Sequence, residues 1–70
     1  MKYLVIFEET DTGFGAYVPD LPGCVATGSN RDQAAAHMKE AIALHIESLR
    51  MHGEVVPLPS ASGVEFIEAA

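Results

Sequence analysis

Basic side chains are scarce in this 70-residue chain. Four Lys plus Arg stand against ten Asp plus Glu, for a formal net charge of −6. A surface that neutralises nucleic-acid phosphates needs clustered Lys and Arg, so direct nucleic-acid binding is not expected. Cysteine occurs once, as Cys24, which excludes an internal disulfide and a cysteine-based metal site. Tryptophan is absent and only five residues are aromatic, so Ala, Val, Leu and Ile must build most of the core. Long apolar runs are also missing. Met1-Lys2-Tyr3-Leu4-Val5-Ile6-Phe7 meets Glu8-Glu9, too soon for a signal peptide and far short of the roughly 20 residues of a membrane helix. The expectation is a cytoplasmic protein with Cys24 reduced.

These absences have a positive consequence. A single domain of this length buries only about 60% of its unfolded surface. Domains this small usually need a disulfide, a metal or a partner to stabilise them. With the first two unavailable, self-association as a dimer or tetramer, or binding to another protein, is the expected support. The acidic charge suits a basic protein partner; it equally serves solubility.

What the sequence does contain is a rigid corner, Pro19-Asp20-Leu21-Pro22-Gly23-Cys24-Val25-Ala26-Thr27-Gly28. Pro19 and Pro22 fix φ and remove backbone donors, and they push Val18 and Leu21 toward extended geometry. Gly23 and Gly28 can adopt positive φ. The stretch predicts a fixed turn, a short strand at Cys24 to Thr27, and a second turn leading into a helix.

Around this corner the chain reads in order. Lys2 to Glu8 is a strand by composition, with Tyr3, Val5 and Phe7 on one face and Leu4, Ile6 and Glu8 on the other. Both faces are largely apolar, which predicts cover on both sides. Glu9 to Gly13 is a turn, leading to a second strand at Phe14 to Val18 in an antiparallel hairpin. Gly15, opposite the Phe14–Ala16–Val18 face with Tyr17, marks a bulge or a close backbone approach. Asn30 is a helix N-cap with Gln33 three residues on, as in a capping box, and Asp32 suits the helix dipole. The helix runs to about Met51, with Gly53 as its C′ residue and Arg50 and His52 near its end.

Ala35, Met38, Ile42, Ile46 and Leu49 form the helix stripe that packs on the sheet, flanked by Ala34, Ala41 and His45. Leu44 and Met51 fall on the outer face beside Glu40 and Glu47, as ordinary surface residues or as a small contact site. Val55 to Ser60 is a proline-rich extended connector, Ala61 to Gly63 a flexible turn, and Val64 to Glu68 a final strand. The sum is an α+β domain, β-β-β-α-β, spanning residues 1–70, with an antiparallel sheet and one helix on one face. One helix leaves one sheet face uncovered, and that face is the expected oligomer or partner surface. The candidate residues for it are Tyr3, Val5, Phe7, Tyr17, Leu44 and Met51.

No catalytic, cofactor-binding or metal-binding residue is expected. Glu8, Glu9 and Asp11 read as a solvated turn without further ligands. His37, His45 and His52 lack ligand spacing, and Cys24 lacks the electropositive setting of a nucleophile.

Taken together, the pieces resemble a family. Tyr3, Val5, Phe7 and Glu8 open the first strand and Gly13-Phe14 the second. Pro19-Asp20-Leu21-Pro22-Gly23-Cys24 and Thr27-Gly28 follow, then an alanine-rich helix with Lys39-Glu40-Ala41, then Val56-Pro57-Leu58-Pro59-Ser60. The chain resembles the N-terminal domain of HicB-like antitoxins over nearly its whole length. The resemblance implies a truncated RNase H-like fold and a small basic HicA-type toxin as partner, an RNA-cleaving protein that the antitoxin covers and blocks. Many members add a C-terminal DNA-binding domain and repress their own operon; this chain stops at Ala70, so autorepression is not expected of it alone. Two other readings stand beside the antitoxin: a stand-alone oligomeric structural or regulatory domain without a toxin, and a degenerate nuclease.

Overall fold

The computed structural model describes residues 1–69. Strands β1 (Ile6–Thr10), β2 (Gly13–Tyr17) and β3 (Val25–Gly28) precede the helix α1 (Arg31–Met51). The sheet order is β1-β2-β3 and both pairings are antiparallel. The expected α+β architecture, an antiparallel sheet with one helix, is the one found.

The strand boundaries differ from expectation because pairing, not composition, sets them. β1 begins at Ile6 instead of Lys2 and extends to Thr10, so the connection to β2 shrinks to Asp11-Thr12. The register places Ile6 opposite Tyr17, which would put Val5 opposite Val18. The Val18 N–H and carbonyl turn the other way, to Cys24 at 3.2 Å and Leu21 at 3.1 Å, and the next residue, Pro19, has no N–H to donate, so the ladder stops there. β2 and β3 are each displaced by one residue from their expected spans. The final strand expected at Val64 to Glu68 does not form: no strand is present after the helix among the described residues. Its apolar side chains stand largely in solvent, with Val64 and Phe66 bordering a shallow cleft beside Leu4 to Phe7.

The corner between β2 and β3 consists of two fused turns. Val18-Pro19-Asp20-Leu21 closes with the Leu21-to-Val18 bond. Leu21-Pro22-Gly23-Cys24 closes with the Cys24 N–H donating to the Leu21 carbonyl at 3.0 Å. The second turn has Pro at its second position and Gly23 at φ +85° in its third, the requirements of a type II turn. Leu21, shared by both turns, is fully buried. The corner thus supplies a core side chain as well as a change of direction, and burying Leu21 is worth about 1.5–3 kcal/mol.

The helix ends are set by local sequence. Asn30 Oδ1 accepts from the Gln33 N–H at 2.8 Å. The Gln33 side chain reaches one residue further back than a standard capping box, to the Ser29 N–H at 2.6 Å and the Ser29 hydroxyl at 2.7 Å. At the other end Gly53 has φ +67°. Its N–H donates to Arg50 and that of Glu54 to Leu49, the paired bonds of a Schellman cap.

Ala16, Val18, Leu21, Cys24 and Met38 form the buried core cluster, with Tyr3, Val5, Phe7, Ala26, Ala41, Ile42 and Ile46 packed against it. Met38, Ile42 and Ile46 of the expected helix stripe pack on the core, joined by Ala41 from its flank; Ala35 and Leu49 are only half-buried, while Ala34, a flanking residue by periodicity, is fully buried. Gly28 explains this. A Cβ there would lie 2.4 Å from the Ala34 nitrogen, so the glycine lets the helix start sit directly on β3.

Candidate partner-binding surface

The register sorts the sheet into two faces. Phe7, Ala16 and Ala26 lie in one row and face the helix; Ile6, Tyr17 and Val25 lie in the next and face away. That second row is apolar and uncovered by α1: Tyr17 is 40% exposed and Val25 64%. The following row, Glu8, Gly15 and Thr27, shares this face. A Cβ at Gly15 would meet nothing within 4 Å, so Gly15 leaves a flat surface and neither a bulge nor a close approach. The face is an apolar strip with an acidic border at Glu8, where strand-to-strand neighbours align without protruding helical cover.

The six residues expected at a partner surface occupy three places. Tyr17 lies on the open face. Tyr3, Val5 and Phe7 are partly buried against the core, and the Tyr3 hydroxyl donates to the Pro57 carbonyl. Leu44 and Met51 are exposed on the outer side of α1. Val25 and Ile6 escape the sequence reading because only the register shows that they flank Tyr17.

Asp20 has a role that spacing could not reveal. Its carboxylate accepts from the Ser60 hydroxyl at 2.6 Å, the Ser60 N–H at 2.8 Å and the Ala61 N–H at 3.0 Å. These bonds, the Ser60 hydroxyl first, hold its pKa below the ordinary value. Asp20 and Tyr3 together fasten the proline-rich connector to the body of the fold. Pro19, Pro22 and Gly23 shape the corner, Cys24 and Leu21 fill it from inside, and Gly28 and Asn30 hand the chain to the helix.

The remaining candidate groups are engaged structurally. Cys24 is buried, and burial pushes its thiol pKa up; its Sγ lies 3.9 Å from the Met38 sulfur. His37 Nδ1 is 2.6 Å from the Thr27 carbonyl and His52 Nδ1 2.7 Å from that of Ser48. Among the described residues no three His, Cys, Asp or Glu side chains converge as a metal site. The Arg31 guanidinium stacks over the Phe7 ring, 4.4 Å from its centroid, a cation–π contact between the helix start and β1. Among the described residues no helix is long and apolar enough to cross a membrane.

This geometry can be compared with known proteins. Residues 3–69 match the family described as HicB-like antitoxin of bacterial toxin-antitoxin system. The chain belongs to the HicB-like antitoxin family. It is 40% identical to a UPF0150 protein of Thermoplasma acidophilum, over 91% of this chain and 94% of that one. It is 31% identical to Antitoxin HicB 2 of Photorhabdus laumondii, over 97% of this chain but 49% of the antitoxin. The chain thus spans nearly the whole archaeal relative and about half of the Photorhabdus HicB-like protein. Among solved structures, a chain of the HicA3 and HicB3 toxin-antitoxin complex superposes with a TM-score of 0.76 at 33% identity, covering 86% of this chain and 70% of that one. The HicB-like architecture of three antiparallel strands and a helix is therefore shared with that neighbour.

Proposed function

We propose that this chain is a non-catalytic binding module that sequesters a small, basic, RNA-cleaving HicA-type toxin in the cytoplasm. The open sheet face carries the reading. Ile6, Tyr17 and Val25 form an apolar row without helical cover, and interface cores are apolar with aromatic anchors. Glu8 borders that row, and the chain carries a net charge of −6, which steers a basic partner toward it. The likeness to a chain of a toxin-antitoxin complex supports the same reading. In this reading the sheet and helix act as a truncated RNase H-like unit that binds and does not cleave. The small core and the uncovered face also favour self-association.

The test is co-expression with the HicA-type protein of the neighbouring reading frame. The two proteins are expected to co-purify, and the chain is expected to relieve growth arrest by the toxin. Independent purification together with unrelieved arrest would sink the antitoxin reading in favour of a toxin-free oligomer. RNA incubated with the chain and Mg²⁺ is expected to stay intact; cleavage would revive the nuclease.

A further inference from the structure

Two clefts adjoin the start of β1, and they carry opposite charge. One is a groove of about 400 Å³ against the first half of α1, lined by Val5, Phe7, Met38 and Ile42 together with Arg31 and Lys39. The other, of about 300 Å³, lies between Leu4 to Phe7 and the C-terminal stretch Val64-Glu65-Phe66. Among the described residues Glu65 is the one charged group lining this second cleft. Ile6 belongs both to it and to the Ile6–Tyr17–Val25 row, so the cleft continues the open sheet face.

We infer that this second cleft is a subsite of the toxin surface that takes one long basic side chain, Arg or Lys, of the toxin, with Val64 to Phe66 as its outer wall. The inference rests on the antitoxin reading and deepens it, because it adds the C-terminal stretch to the binding site. A long basic side chain packs its aliphatic stem on apolar surface and keeps its charged head in water. Leu4, Ile6, Val64 and Phe66 supply the apolar walls. Glu65 supplies the opposite charge within the cleft, and Glu8 supplies it on the same face of β1 as Ile6.

Charge selects this occupant. An acidic side chain is repelled by Glu65, and the Arg31–Lys39 groove repels a basic one, which directs a basic partner away from the helix and toward the Glu65 cleft. The chain does not fill the cleft with its own side chains. Val64 is 69% exposed and Phe66 fully, although both border it. An exposed aromatic beside an apolar cleft is the composition of an interface anchor. The wall is also held in place. The Asp20 carboxylate binds Ser60 and Ala61, just before Val64, so the stretch leaves the body of the fold from a fixed point.

Calorimetry of the full chain with the HicA-type protein of the neighbouring reading frame tests it. Glu65→Lys and Phe66→Ser are each expected to weaken binding about tenfold, which is about 1.4 kcal/mol, with unchanged circular dichroism. Glu68→Lys reverses the same charge outside the cleft and is expected to cost less than about threefold, as an exposed charge does. A photo-crosslinking phenylalanine in place of Phe66 is expected to join the toxin at a peptide that carries Arg or Lys. Binding indifferent to Glu65→Lys and Phe66→Ser, an equal loss with Glu68→Lys, or a cross-link only to a second copy of this chain overturns the subsite and leaves the antitoxin reading standing. A wild-type chain that binds no toxin overturns the antitoxin reading and the subsite with it.

Discussion

An added Cβ at Gly28 would lie 2.4 Å from the Ala34 nitrogen and 2.9 Å from its Cα. Both are helix backbone and neither can rotate aside. Gly28→Ala should therefore cost about 3 kcal/mol, an overpacking penalty, read as a shifted midpoint in urea. Gly23 differs in kind: space is open around it, but φ is +85°. Gly23→Val should cost about 1–2 kcal/mol from backbone strain alone, and an unchanged melting temperature would mean the type II turn is misassigned. Gly15→Ala is the control, because nothing crowds that position and replacing a strand glycine gains about 0.5–1 kcal/mol. The Gly23 turn was legible in the sequence, since Pro22 before it leaves few alternatives. Gly15 was misjudged, because a glycine in a strand pattern is compatible with crowding or with open space, and only the fold decides.

At the scale of elements, α1 was legible at both ends because its caps use neighbouring residues. Asn30 bonds to Gln33, and Gly53 and Glu54 close back on Arg50 and Leu49. Asn30→Ala should lower stability by about 1 kcal/mol, measured by thermal or urea unfolding. The strands were less legible, since their limits depend on which residues across the ladder remain free. Pro19, with no N–H to donate, ends the β1–β2 ladder at Ile6–Tyr17, and nothing within Lys2 to Glu8 records it. The connector after the helix depends on Asp20, whose partner Ser60 is 40 residues away.

That contact has a pH signature. The folded-state pKa of Asp20 is lowered, chiefly by the Ser60 hydroxyl bond. Its contribution to stability is therefore fully present above the usual carboxylate range and is lost as pH falls through the lowered value. The Ser60 and Ala61 amide resonances should move toward unbonded positions only in that acid window. Asp20→Asn should weaken their pH dependence and their protection at neutral pH.

At the scale of the molecule, the fold is a two-layer slab, 43 × 28 × 17 Å, with six buried apolar residues among those described. Its surfaces divide by charge and cover: an apolar sheet face bordered by acid, and an apolar groove bordered by Arg31 and Lys39. The sheet's existence and its uncovered side were legible from one helix serving three strands. Which residues occupy that side was not, because a shift of one residue in register exchanges the faces. Tyr17 was placed by alternation, whereas Val25 and Ile6 needed the pairing. If the partner is the basic toxin proposed above, opposite charge makes association sensitive to salt. The on-rate for a basic toxin should fall steeply as ionic strength rises, because screening shortens the reach of the field.

The central claim is that the Ile6–Tyr17–Val25 face holds the toxin. The most direct measurement is the affinity of the HicA-type protein for the wild-type chain and for Tyr17→Asp with Val25→Asp, by calorimetry. Both substituted positions are exposed, so unfolding curves should match closely. The account predicts tight binding by the wild type and a loss of at least about 100-fold, roughly 2.7 kcal/mol, in the double variant. A folded double variant that binds the toxin as tightly as the wild type would contradict it.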